Sequence, residues 1–142
     1  MTAWRFLAVA AVAVLAVSCK DNGTATVTSP TGVTFSTEYF SNVIESGGSR
    51  FYSFKVATAG PVTVTLASIT NADSGLPLGR PLRVGVGRPA GTGCPAQTSA
   101  LVQAALTTQV THLAPEGVNC IEIADPSGLP GPIRFAIRFT HP

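Results

Sequence analysis

The chain has 142 residues, of which 45% are hydrophobic and 11% are charged, and its formal net charge at pH 7 is +2. This length allows one domain with a hydrophobic core. Lysine and arginine residues are scattered singly, whereas nucleic-acid binding needs a clustered basic surface, so we expect no nucleic-acid partner. The acidic residues are also dispersed, which argues against a calcium-binding module.

The first 18 residues have the layout of a secretory signal peptide. Arg5 supplies a positive charge, and the 12 residues from Phe6 to Val17 are all apolar. A helix of that length rises only about 18 Å, too short for a hydrocarbon core of about 30 Å. A buried core helix would show a polar face, and this run has none. Residues 1–18 are therefore predicted to be a signal peptide.

A cysteine follows this segment. The sequence LAVSC, residues 15–19, resembles the lipobox of bacterial lipoproteins. The resemblance implies that the Cys19 thiol receives a diacylglycerol, that the peptide before it is cleaved, and that the new amino group is acylated, for instance with palmitate. Two or three acyl chains attach a protein stably to a membrane. Lys20 follows the anchor in place of aspartate, which resembles outer-membrane sorting, so we expect a protein of the bacterial cell envelope anchored in the outer membrane.

The next segment, residues 19–32, is predicted to be a lipidated flexible tether. After Cys19 the sequence KDNGTATVTSPTG is polar, consists mainly of small residues and is interrupted by Pro30 and Gly32. The folded domain is expected to occupy residues 33–142.

From residue 33 onward the hydrophobic pattern has a period of two, which is typical of β-strands. Turn clusters such as ESGGS, APEG and DPSGLPGP separate these runs. The one stretch that tolerates a helix, residues 98–106, is expected to be a loop or a strand edge. The sequence predicts an all-β, antiparallel β-sandwich of the jelly-roll or immunoglobulin-like kind with about seven or eight strands.

The alternation also predicts which side chains face the core. The positions expected to face inward are Val33, Phe35, Thr37, Tyr39, Tyr52, Phe54, Val56, Val62, Val64, Leu66, Leu82, Val84, Val86, Leu106, Val110, Ile121, Ile123, Ile133, Phe135, Ile137 and Phe139.

Cys94 and Cys120 are expected to form a disulfide, because an exported domain matures in an oxidising compartment and two cysteines remain after Cys19. If Ile121 and Ile123 face the core, Cys120 points the other way. The bridge is then expected to hold the Cys94 loop across the outside or the edge of a sheet.

The segment order also carries a second resemblance. SGGSRFYSFKVATAGPVTVTL, APEGVNCIEIADPSG and IRFAIRFTHP follow one another in a way that resembles the bacterial pre-peptidase C-terminal type of β-sandwich, over about residues 38–142. Small envelope lipoproteins are similar. The resemblance implies a non-catalytic appendage or binding module.

No nucleotide, metal or other cofactor is expected. Gly85-x-Gly87-x-x-Ala90 fits a loose dinucleotide fingerprint, but Pro89 and Pro95 interrupt the helix that such a site requires. Neither histidine forms a ligand-spaced pair with a cysteine.

We also expect no enzyme, because no Gly-x-Ser-x-Gly elbow is present. His112 with Glu122 or Asp125 and a serine can be drawn as a triad, but His112 is expected to face solvent. His141 lies next to the last residue, where chain ends tend to fray.

Two hypotheses for function remain. The first is an envelope protein whose β-sandwich contacts another protein or has a structural role, and the second is a carbohydrate-binding module, with a polysaccharide as partner. Tyr39 and Tyr52 are expected inward, which leaves Phe40 and Phe51 as possible exposed rings. A flat row of exposed rings would favour sugar, whereas an apolar patch or an unpaired strand edge would favour protein.

Overall fold

A computed structural model describes residues 23–28 and 32–142. The predicted signal peptide, the lipidation site Cys19 and Lys20 lie outside these residues. In the described part of the chain, no helix is long and apolar enough to cross a membrane. The nine strands within it are β1 Thr24–Thr28, β2 Thr34–Ile44, β3 Ser49–Val56, β4 Gly60–Asn71, β5 Leu82–Gly87, β6 Ala96–Val102, β7 Val110–Ala114, β8 Gly117–Ala124 and β9 Ile133–His141.

The strands form two antiparallel sheets. The five-stranded sheet has the order β1-β2-β9-β4-β7, and the four-stranded sheet has the order β3-β8-β5-β6. All strand pairs are antiparallel. The all-β prediction is therefore confirmed, and the architecture is that of a β-sandwich.

The segment expected to be a tether differs from that expectation where the structure describes it. Residues 24–28 form β1, which pairs with residues 34–38 of β2. All five residues of β1 are exposed, so backbone hydrogen bonds hold this strand and core packing does not. The sequence TATVT has β-branched residues but no large apolar face, and this explains why its pattern did not indicate a strand.

The core lies between the inner faces of the two sheets. The inward register is confirmed for β3, β4, β5, β8 and β9, which supply most of the buried apolar side chains. Those less than 2% exposed are Val56, Val62, Val64, Leu66, Leu82, Val84, Val86, Ile121, Ile123, Ile133, Phe135, Ile137 and Phe139.

The register predicted for β2 was wrong. Tyr39 is 45% exposed on the outer side, whereas Phe40 packs against the core. The Phe40 ring centroid lies 4.9 Å from that of Tyr52 and 5.8 Å from that of Phe135. Ile44, buried at the end of the strand, shares the parity of Phe40, and these contacts with the opposite sheet determine which face turns inward.

The stretch 98–106 is divided between an edge strand and a loop. Its first part belongs to β6 at the edge of the four-stranded sheet, as expected. Leu106 was predicted to face inward with Val110, but it is 85% exposed in the loop before β7, and only Val110 is buried. The pattern failed here because residues 103–109 are not a strand.

Candidate functional site: a groove beside the disulfide

Cys94 and Cys120 form the predicted disulfide, with Cα atoms 6.0 Å apart and a sequence separation of 26 residues. Cys120 lies in β8, where its neighbour Ile121 faces the core, so its sulfur atom points to the outer side of the four-stranded sheet. The connection between β5 and β6 folds over this side and leaves Cys94 only 3% exposed. The predicted placement of the bridge outside the core agrees with this geometry.

Two glycines in β5 allow the end of the connection and the start of β6 to approach closely. A Cβ atom at Gly85 would lie 2.6 Å from the Cβ of Ala96, and one at Gly87 would lie 2.1 Å from the carbonyl oxygen of Pro95. Both distances are too short for any side chain. Glycine is therefore required at these two positions, because the chain at Pro95 and Ala96 packs directly on the backbone of β5. They belong to a strand, in contrast to the loop before a helix that dinucleotide binding requires.

The folded connection is one wall of an open groove on the outer side of the four-stranded sheet, which we call the outer groove. Its volume is about 450 Å³, larger than the depressions of about 290 and 330 Å³ beside Tyr39 on the five-stranded sheet. The residues that line the outer groove are Arg83, Gly93, Cys94, Pro95, Ala96, Ser99 and Glu122.

An ion pair lies at the floor of the outer groove. Arg83 Nη2 is 3.0 Å from Glu122 Oε2, and the two side chains are 46% and 20% exposed. Glu122 is paired across the strands with Gly85, which places it diagonally opposite Arg83 on the same face of the sheet. A pair this exposed contributes about 0–1 kcal/mol to folding, so exchanging it for charges on a partner would cost little stability.

Phe51 lies next to this ion pair. It is paired with Glu122 across β3 and β8, and its side chain is 40% exposed. The outer groove thus offers a cation, a carboxylate, the Ser99 hydroxyl and an adjacent ring, against a wall that a disulfide holds in place.

Asp125 has a structural role in the turn after β8. Its carboxylate accepts hydrogen bonds from the backbone N–H groups of Gly47, Ser127 and Leu129, at 2.9, 3.1 and 2.6 Å. Burial alone would raise the pKa of Asp125, but the backbone donors outweigh it and hold this pKa below the ordinary value of 3.8. The interpretation of DPSG as turn chemistry fits these contacts.

The replacement Asp125→Asn should lower the free energy of unfolding at neutral pH by about 1–2 kcal/mol, because it removes the charge from these hydrogen bonds. The pKa of the carboxylate is depressed in the folded state, so its contribution is present above pH 3.8 and is lost as the pH falls through the folded pKa. Urea denaturation at about pH 7 and about pH 2 should therefore show a difference between wild type and variant that shrinks in acid. An equal difference at both pH values would contradict this role.

A second polar cluster lies between the sheets near the chain end. Glu38 accepts a hydrogen bond from the Tyr52 hydroxyl at 2.7 Å, and its other carboxylate oxygen lies 2.9 Å from His141 Nε2. The hydrogen bond to Glu38, together with burial and the charge of Glu38, raises the pKa of Tyr52. His141 is 5% exposed and packs on Phe54, so the expectation that it frays was wrong. Through these contacts Glu38 of β2 connects Tyr52 of β3 with His141 of β9.

The triad drawn from the sequence is not assembled. His112 is half-buried on the inner side of β7, with its Nδ1 2.9 Å from the Thr98 hydroxyl, so the expectation that it faces solvent was wrong. Val110 and Ala114 are buried on the same side of the strand, and this sets the direction of His112. Glu122 is bound to Arg83 on the outer side of the other sheet, and Asp125 is held by the turn after β8.

Among residues 23–28 and 32–142, no three or more histidine, cysteine or acidic side chains are grouped as metal binding requires. The exposed rings of Tyr39 and Phe51 lie on the outer sides of opposite sheets, so together they form no row. Sequence reasoning missed Arg83, Ser99 and Phe51 as neighbours in one site, although the glycines of GVG within a strand pattern were a usable signal. Comparison with protein-family models and with curated proteins found no match for this chain.

Proposed function

We propose that this chain is a lipid-anchored protein of the bacterial cell envelope whose β-sandwich binds another envelope protein and performs no catalysis. The outer groove is the observation that carries the binding role. The lipobox-like sequence at residues 15–19 supports the anchor, and Lys20 after Cys19 supports the outer membrane.

The outer groove suits a protein partner because its wall is fixed before binding. A loop that is already ordered loses little conformational entropy when a ligand arrives, and this raises affinity. The disulfide and the two glycines of β5 supply that order. A partner segment that brings its own charges can exchange them with Arg83 and Glu122, and Phe51 offers apolar contact.

The edges of the same sheet favour protein over sugar. β3 and β6 are the outer strands of the four-stranded sheet, and strand edges present backbone donors and acceptors that an extended peptide can pair with. A polysaccharide, the second candidate, would need rings to stack on. Tyr39 and Phe51 cannot serve one chain together, because they lie on opposite sheets.

The candidate catalytic groups lie apart from one another, which supports a protein without catalytic activity. His112 meets Thr98 between the sheets, with Glu122 and Asp125 each engaged elsewhere. Glu38, Tyr52 and His141 line none of the three depressions described above. Hydrolase assays on the protein should accordingly show no turnover that depends on His112.

The anchor is held close to the folded domain. Cys19 is five residues from Thr24, where β1 begins, and a fully extended chain covers at most about 18 Å over that span. The domain therefore stays near the surface of the membrane that holds Cys19.

The replacement Cys19→Ser is expected to abolish acylation and to release the domain from the membrane fraction, or to leave an uncleaved precursor. Metabolic labelling with a fatty-acid probe, followed by fractionation, measures both effects. The double variant Cys94→Ala/Cys120→Ala is the control, because it removes the other two cysteines and should keep the label. A wild-type chain that carries no lipid and begins at some other residue would contradict the anchor.

A further inference from the structure

We propose that the outer face of the five-stranded sheet rests on the phosphate-bearing headgroups of the membrane that holds Cys19, with the outer groove turned away from the lipid. This proposal rests on the lipid anchor of the proposed function. We call this surface the membrane face, and it consists of the outward side chains of β1, β2, β9, β4 and β7.

The charge of the membrane face suits an anionic surface. Arg134 and Arg138 project outward from β9 and are exposed. None of the outward side chains of the five strands is acidic, since Glu38, the one carboxylate within these strands, faces inward and binds His141. The opposite outer face carries Lys55 and Arg83, but it also carries the carboxylate of Glu122, which binds Arg83. The Arg138 guanidinium donates a long hydrogen bond of 3.4 Å to the carbonyl oxygen of Leu106.

Exposed apolar side chains lie on the same face as these arginines. Val27 on β1 is 65% exposed and Leu113 on β7 is 77% exposed, at the two edges of the face. Leu106, next to Arg138, is 85% exposed, and Tyr39 is paired with Arg138 across the strands. Aliphatic and tyrosine side chains beside arginine are the composition of surfaces that lie in the membrane interface.

A row of threonines crosses the same face. Thr37, Thr140, Thr63 and Thr111 are in register on four neighbouring strands. The Thr37 and Thr140 hydroxyl oxygens are 3.0 Å apart. Hydroxyl groups in such a row can donate to phosphate oxygens without adding a charge that anionic lipid would repel.

The chain leads to this sheet from the anchor. β1 is an edge strand of the membrane face and begins at most about 18 Å from Cys19. The five strands together span about 19 Å at the usual strand spacing, a width comparable to the reach of the chain from the anchor, so the face can lie flat on the lipid surface. The anchor already supplies attachment, so the arginines need only favour one orientation of the domain over another. Each arginine near an anionic surface shifts the equilibrium between the two orientations by roughly fivefold.

Tryptophan fluorescence can report which face meets the lipid. The only tryptophan is Trp4, in the predicted signal peptide, so the mature chain contributes no background tryptophan fluorescence. We would place a probe on each outer face with Leu113→Trp and Leu101→Trp, since both leucines are exposed. The lipidated proteins are reconstituted into vesicles of phosphatidylethanolamine and phosphatidylglycerol that carry brominated acyl chains, which quench nearby indole.

Leu113→Trp should show blue-shifted emission and at least threefold stronger quenching than Leu101→Trp. Adding Arg138→Gln to Leu113→Trp, or raising the salt concentration, should reduce the quenching. Equal quenching of the two probes, or stronger quenching of Leu101→Trp, in protein that floats with the vesicles would overturn the membrane face alone. A chain that carries no acyl group by mass spectrometry and does not float would overturn the anchor as well.

Discussion

Removing the disulfide with Cys94→Ala/Cys120→Ala is expected to lower the free energy of unfolding by about 3.5 kcal/mol, while the two-sheet core stays folded. The figure follows from the entropy of closing a loop with a sequence separation of 26 residues. The core survives because Cys120 faces outward and the buried cluster between the sheets contains neither cysteine.

The loss should be local. Little apolar surface holds the connection at residues 88–95, since its members other than Gly93 and Cys94 are exposed. Hydrogen exchange on oxidised and reduced protein should show faster exchange in that connection and retained protection at residues 52–56 and 135–139. If those two strands lost protection together with the connection, the bridge would belong to the central core and its outward placement would be contradicted.

The second large effect is expected for Gly87→Ala, which should lower the free energy of unfolding by about 3 kcal/mol, at the upper end of the usual cost of overpacking. The new Cβ would lie 2.1 Å from the Pro95 carbonyl oxygen, which is backbone and cannot rotate away. Pro95 is also held by its neighbour Cys94, so the wall of the outer groove must shift as a unit. Urea denaturation measures the cost.

Gly79→Ala is the matched control, because nothing lies within 4 Å of a Cβ built there and its backbone is not in the left-handed region. Its stability should stay near that of wild type. Combining Gly87→Ala with Cys94→Ala/Cys120→Ala should cost less than the sum of the separate losses, since a released connection can move aside. Equal stability of Gly87→Ala and Gly79→Ala would contradict the close approach.

Strands whose apolar residues occupy one parity could be predicted from the sequence. β9 alternates isoleucine and phenylalanine with arginine, alanine and threonine, and its inward face was predicted correctly. β2 has aromatic residues in both parities, Tyr39 in one and Phe40 in the other, so its local pattern was ambiguous. Contacts with Tyr52 and Phe135 in space decided between them.

The candidate site, too, could be predicted from the sequence only in part. The disulfide and its outward direction followed from cysteine count and from the apolar neighbours of Cys120. The ion pair of Arg83 and Glu122 did not, because it depends on Gly85 lying opposite Glu122, and strand register between distant segments is not written in either segment alone. His141 was misjudged for a similar reason, since its partner Glu38 lies 103 residues away.

Photo-crosslinking in intact cells tests the binding role of the outer groove most directly. A photoreactive residue is placed at Ser99 in the groove and, as a matched probe, at Thr111 on the membrane face, where both side chains are exposed. We predict a discrete protein adduct from position 99 that is weakened by Gly87→Ala, and none from position 111. A polydisperse, protease-resistant adduct from position 99 would instead favour the polysaccharide. No adduct from position 99, or the same adduct from both positions, would contradict the outer groove as the binding site.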